Sequence, residues 1–175
     1  MIAIRVDQAY GNCPKYIQRR EPVEALDVHP ADRDVAHGAV LTEPQRTFVE
    51  SADTFFLATA HPDGRRDATR RRRRPGFVRV SDDRTLVWPD YVGNTMFMSL
   101  GNLEVNPHAG LLFVDFDSGT TLQLTGRARV DWDAARAATF PGAQRVVELE
   151  IDETVETRNA SPLRWKLVEP SPFNP

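Results

Sequence analysis

Only one cysteine, Cys13, occurs in the 175 residues, which excludes an internal disulfide and any zinc cage built from several thiolates. A reducing, cytoplasmic setting is the expectation that follows. Long hydrophobic runs are missing as well: no apolar stretch approaches the roughly 20 residues of a membrane span. The opening Met-Ile-Ala-Ile-Arg-Val-Asp lacks a basic region leading into an apolar core, so neither a membrane partner nor an export signal is expected. Charge of one sign is not in excess. With 22 Lys and Arg against 25 Asp and Glu, the net charge of -3 gives no global reason to bind nucleic acid, and any such contact would have to come from a local patch. The four histidines, His29, His37, His61 and His108, are dispersed without ligand spacing or a companion cysteine, so no metal site is expected. There is no Gly-x-Ser-x-Gly elbow, no Walker loop and no dinucleotide fingerprint, and hydrolase and nucleotide-triphosphatase chemistry therefore has no foothold.

What remains is an ordinary globular composition, 41% hydrophobic, in a length that accommodates one domain with a substantial core. Ile2 to Tyr10 alternates as a strand and breaks at Gly11-Asn12-Cys13-Pro14, where Cys13 reads as a structural turn residue or, beside Lys15, as a reactive thiol. Arg19 to Leu41 is polar, holds Pro22 and Pro30, shows no period, and reads as an irregular connector with at most a short helix. Thr42-Glu-Pro-Gln then supplies helix-start chemistry for a helix to about Ala52. Thr54 to Ala60 is a buried strand returning through His61-Pro-Asp-Gly64 into Arg66 to Arg70. Further strands are expected at Phe77 to Val80, Thr85 to Trp88, Gly110 to Phe116, Thr121 to Trp132, Arg145 to Val155 and Leu163 to Val168. One helix, Thr95 to Asn106, interrupts them, with Phe97 and Leu100 assigned to its core face. The class is mainly β, an antiparallel barrel with a few helices.

Five segments then stand out in order: Phe55-Phe-Leu-Ala-Thr-Ala-His-Pro-Asp-Gly64, Pro75-Gly-Phe-Val-Arg-Val80, Tyr91-Val-Gly-Asn94, Asn106-Pro-His-Ala-Gly-Leu-Leu-Phe-Val-Asp-Phe116 and Leu124-Thr-Gly-Arg-Ala128. In order and spacing, from about Thr42 to Glu169, they resemble the pyridoxamine 5'-phosphate oxidase-like family of FMN-binding split barrels. The resemblance implies a six-stranded antiparallel split β-barrel, a homodimer, and FMN at the subunit interface. It also implies an oxidoreductase acting on a small molecule or a reduced nicotinamide, with the flavin carrying the chemistry. The alternative is a non-catalytic module that holds flavin or haem for sensing or stress response. Residues 1–41 would be a strand, turn and connector left from an upstream unit, or the first twenty of them would complete the barrel of a neighbouring subunit. Asn12-Cys-Pro-Lys-Tyr-Ile-Gln18 supports this, because it resembles a segment that closes a domain in that family; residues 42–175 would be the flavin domain.

Carried over by position, the resemblance places Thr69 and Arg70 on the strand at the flavin phosphate, and Asn94, Thr95 and Met96 at the helix entrance. Asp90 falls beside the ring, Thr121 or Gln123 on a later strand, and Trp165 is implied as a contact from the partner subunit. The family's Arg-Lys pair at the helix entrance is replaced here by Thr95 and Met96, so the phosphate charge has to be met elsewhere. The run Arg70 to Arg74 offers forked guanidiniums, with Arg70 and Arg72 as the candidates, but five like charges also read as a solvated loop. Asn94 is explained as well by helix capping as by binding. Phe77 and Trp88 are the aromatics nearest the Arg run, too few for a single-strand nucleic-acid site, so no nucleic-acid partner is expected. Glu148, Glu150 and Asp152 share one face of their strand, the pattern of a polar outer barrel face more than of acid-base catalysis.

Overall fold

The computed structural model describes residues 3, 5, 6, 15–93 and 95–173. The Gly11 to Pro14 turn, Cys13, Asn94 and most of the strand expected from Ile2 to Tyr10 lie outside the described residues. The chain is mainly β. Its strands are β1 (Arg19–Ala25), β2 (Asp34–Gly38), β3 (Thr54–Ala60), β4 (Arg66–Arg72), β5 (Arg79–Val80), β6 (Thr85–Asp90), β7 (His108–Val114), β8 (Thr121–Asp131), β9 (Arg145–Arg158) and β10 (Leu163–Glu169). Helices α1 (Glu43–Ser51), α2 (Met98–Val105) and the single turn α3 (Ala134–Ala137) are set among them.

Six long strands and the short β5 form one antiparallel path, β4-β3-β7-β8-β9-β6-β5, and β2 pairs with β9 beside it. The end strands β4 and β5 do not pair with each other, so the barrel is split along that seam. Alternation along each strand builds the core: Phe55 and Leu57, Leu111 and Phe113, Leu122 and Leu124, Val147 and Leu149 all point inward and are fully or almost fully buried. Phe55 sits at the centre, its ring 5.3 Å from those of Trp88 and Phe113 and 5.8 Å from that of Phe77. α1 caps one end by burying Val49, and its first turn is held where the Thr42 N–H donates to Gln45 Oε1 at 3.0 Å.

The polar stretch after Arg19 is not irregular. β1 forms a separate two-stranded ribbon with β10, and β2 extends the main sheet along β9. Both strands are exposed at nearly every position, so they carry no period-2 signal, and Pro22 is tolerated because the ribbon has two free edges. Arg20 fastens β1 to the body through an ion pair with Asp53, its guanidinium 3.9 Å from the Phe116 ring.

α2 begins at Met98, three residues later than its composition suggests, because Thr95 takes φ 62, a left-handed conformation that cannot open an α-helix. Leu100 is in the core at 3% exposure, but Phe97 precedes the helix and is 48% exposed, correcting its assignment to the core face.

The glycine of Leu124-Thr-Gly-Arg-Ala128 has a structural reason: β8 shifts register against β9 between Thr125 and Gly126, where a Cβ would lie 2.0 Å from the Glu150 carbonyl oxygen. Gly126→Ala therefore has to push two paired strands apart. A loss of about 2–3 kcal/mol is expected in chemical denaturation, the upper part of the usual overpacking range; an unchanged midpoint would show that the bulge yields freely.

Candidate functional site

The β3–β4 hairpin pairs Phe55 with Arg71, Leu57 with Thr69 and Thr59 with Asp67. Residues directly opposite in an antiparallel pair share a face. Since Phe55, Leu57 and Thr59 are buried, Asp67, Thr69 and Arg71 occupy the inner face of β4. Arg70 pairs with Phe56 on the other face and is exposed. β4 ends the sheet path, so its inner side chains meet a cleft instead of another strand. This cleft, about 290 Å³, lies between β4, the end of β6, the loop into α2 and the stretch Lys15 to Ile17.

Asp90, 7% exposed, ends β6 at the cleft floor. It accepts a hydrogen bond from Arg71 Nη1 at 3.1 Å, and its other carboxylate oxygen lies 3.4 Å from Nε of Arg145, its cross-strand partner on β9. Arg145 is itself 6% exposed, its guanidinium 4.9 Å from the Phe97 ring and 4.7 Å from that of Trp132. One buried carboxylate thus serves two guanidiniums. The other acid on the inner face of β4, Asp67, accepts from the buried Ser99 hydroxyl and ties β4 to the first turn of α2.

Positive charge is in surplus around this floor. Arg72 and Arg73 have their pKa values pushed down, chiefly by burial and also by neighbouring arginines. The Nε atoms of Arg71, Arg72, Arg73 and Arg145 are buried and make no hydrogen bond among the described residues. Buried guanidinium N–H groups without acceptors are costly, and an oxyanion is the ligand class that satisfies several at once.

Of the residues singled out from sequence, Thr69, Arg70, Arg72, Asp90, Thr95 and Met96 border the cleft, and Asn94 lies outside the described residues. Arg70 borders it along the strand edge, whereas Arg72 points its Nη1 at the Gln18 carbonyl, 3.4 Å away. Thr121 and Gln123 are on β8, opposite Val114 and Leu112, away from this cleft. Trp165 borders a second, wider depression of about 940 Å³ between the β1–β10 ribbon and α1. That depression is more open; half-buried Arg20 on its wall is matched by Asp53, and buried Arg164 donates to the Ser161 carbonyl. Arg71 and Arg73 fall within the Arg run marked from sequence without being singled out there, and Arg145 escaped the sequence reading. Period 2 from Thr69 points to Arg71, whereas nothing local marks Arg145, which reaches Asp90 only through the β6–β9 pairing.

Glu148 is structural. It lies opposite Arg129 and bonds both Arg129 Nη2, at 2.7 Å, and Arg136 Nη2, at 2.9 Å. Burial alone would raise its pKa, but these two partners outweigh that and hold it below the ordinary 4.5.

A model of the family described as Pyridoxamine 5'-phosphate oxidase matches residues 41–164, and the chain belongs to that family. No curated protein matches it. A solved putative pyridoxamine 5'-phosphate oxidase from Lactobacillus delbrueckii is 22% identical, with a TM-score of 0.54 over 75% of this chain and 98% of that one. HupZ of Group A Streptococcus is 18% identical, with a TM-score of 0.51 over 63% of this chain and 89% of its own. At such identities the likeness is one of fold. Among the described residues, no helix is long and apolar enough to cross a membrane.

Asp90→Asn leaves Arg71 and Arg145 without their shared counter-charge and is expected to cost about 3 kcal/mol in denaturant unfolding, as for other broken buried pairs; a midpoint shift near zero would show that the carboxylate does not hold them. Glu148, lowered in the folded state, adds stability that is present above pH 4.5 and is lost as pH falls through its folded pKa. Glu148→Gln is expected to flatten the acid limb of the stability profile, and an unaltered limb would contradict this.

Proposed function

We propose that the chain is an FMN-dependent oxidoreductase that works as a homodimer on a small organic substrate or a reduced nicotinamide. The observation that carries this reading is the surplus of buried guanidinium around Asp90, in a cleft at the split of a family barrel. The donor set suits a flavin phosphate. Arg71 and Arg145 bring charge, Thr69 lies on the same face as Arg71, and the Nε atoms of Arg71, Arg72 and Arg73 supply donors that have no acceptor among the described residues. These residues take the part that the neutral Thr95 and Met96 cannot.

When bound, FMN supplies hydride and electron transfer; the polypeptide supplies anchoring, orientation and charge. Asp90 aims Arg71, and the Asp67–Ser99 hydrogen bond fixes the start of α2 against the strand that holds the phosphate. At about 290 Å³ the cleft is at the low end for a cofactor-sized ligand, which favours a second subunit completing it. Exposed Val92, Met96, Phe97 and Trp132 form an apolar rim suited to that contact, and in this arrangement Trp165, Thr121 or Gln123 would reach the flavin from the partner. Pyridoxamine phosphate is not assigned as substrate, since family membership does not fix it.

FMN titration followed by flavin fluorescence tests the reading. The wild type is expected to bind, Arg71→Gln to bind about tenfold or more weakly, and Arg70→Gln to stay within about twofold, because only Arg71 shares the inner face with Thr69. A wild type that neither carries nor takes up FMN would end the proposal, and a Soret band on haem addition would then favour the haem-binding alternative. Bound flavin that reduced nicotinamide fails to bleach would reduce the reading to a binding module.

A further inference from the structure

Arg73 is one of the cleft cations that the Asp90 ion pairs do not include. It follows β4, and its backbone N–H donates to the Asp53 carbonyl at 2.9 Å. Its guanidinium carbon lies 3.4 Å from the ring centroid of Tyr16 and 4.2 Å from that of Tyr91, and the two rings are 6.4 Å apart. Two aromatic rings, their planes 41° apart, thus lie against the guanidinium and restrict where it can move. Nη1 donates to the Arg72 carbonyl, and Nε is buried with no acceptor among the described residues. The charged groups that bear on it are Arg71 and Asp90, with Lys15 also on the cleft wall, and Asp90 is already shared by Arg71 and Arg145.

Tyr16 is itself held in an unfavourable state. Its φ is 65, left-handed for an aromatic residue, and such strain persists only where the surroundings over-determine it. Its hydroxyl donates to the Val92 carbonyl at 3.0 Å, which ties the N-terminal segment to the loop leading into α2. Two residues on, the buried Gln18 accepts from Thr54 Oγ1 at 3.0 Å, and its carbonyl accepts from Arg72. The segment is pinned at both ends across the mouth of the cleft, with the Tyr16 ring on Arg73.

We propose that Tyr16 is a positioning residue of the cleft: with Tyr91 it holds the Arg73 guanidinium in place, making Arg73 a further seat for a phosphate-type oxyanion beside the Asp90 cluster. The oxyanion belongs either to the cofactor or to the substrate. Only the first source rests on the flavin reading; the seat itself does not. Tyr16 acts through Arg73, so loss of either should remove the same binding energy, and losing both should remove it once.

The probe is inorganic phosphate added to the full chain, read as a rise in melting temperature, alongside FMN titration. Phosphate is expected to stabilise the wild type. Arg73→Gln and Tyr16→Ala should each weaken phosphate about tenfold, the double variant no more than Arg73→Gln alone, and Tyr16→Phe, which keeps the ring, within about twofold. Should Tyr16→Ala not fold, Tyr16→Leu takes its place. Phosphate that competes with FMN marks the seat as the cofactor's, whereas phosphate that binds equally well to FMN-loaded protein marks it as the substrate's. Coupled losses in a protein that takes up no FMN would sink the flavin reading and leave the seat standing. Additive losses, a Tyr16→Ala variant with wild-type affinity, or a wild type indifferent to phosphate would overturn the proposal.

Discussion

Asp90 joins what the backbone leaves apart. β4 begins the sheet path and the β5–β6 pair ends it, and no ladder of hydrogen bonds crosses from one to the other. Arg71 of β4 reaches across to Asp90 of β6, and Arg145 of β9 approaches the same carboxylate from the strand beside it. An ion pair therefore spans the open side of the barrel where a strand pairing would otherwise close it. The cleft exists because that seam is spanned by side chains, which leave a cavity, instead of by a ladder, which would fill it.

Such a device is expensive. Removing charged groups from water costs several kcal/mol each unless partners restore the lost solvation. Here one carboxylate answers two guanidiniums, two further arginines are partly desolvated nearby, and several Nε–H groups have no acceptor among the described residues. A hydrophobic seam of similar volume would stabilise the fold at least as well, so the charged one is better explained by what it binds. Aromatic rings lie against Arg145 from Phe97 and Trp132, and against Arg73 from Tyr16 and Tyr91, which limits the loss.

Much of the barrel was legible in the sequence because its strands alternate against a core. Thr54 to Ala60, Thr121 to Asp131 and Arg145 to Arg158 declare themselves through Phe55, Leu57, Leu122, Leu124, Val147 and Leu149. β1 and β2 were illegible for the opposite reason: they pair at the surface, bury almost nothing and leave no pattern. In the cleft, the five arginines in a row offered two readings, a phosphate contact and a solvated loop, and burial divides the run between them. Arg70 and Arg74 face water, while Arg71 to Arg73 are half-buried, and the register of β3 against β4 turns Arg71 inward opposite Phe55. Arg145 and Tyr16 were beyond reach, since each meets the cleft only through contacts between residues distant in sequence.

The central claim is that this cluster of guanidiniums is an anion seat, and the phosphorus resonance of FMN added to the protein reads it most directly. A free phosphate monoester takes up its proton near pH 6. Guanidiniums around it favour the dianion, so the bound phosphate is expected to stay dianionic well below that pH and to lose this protection in Arg71→Gln. A bound phosphate that titrates like free FMN, in wild type and variant alike, would contradict the account.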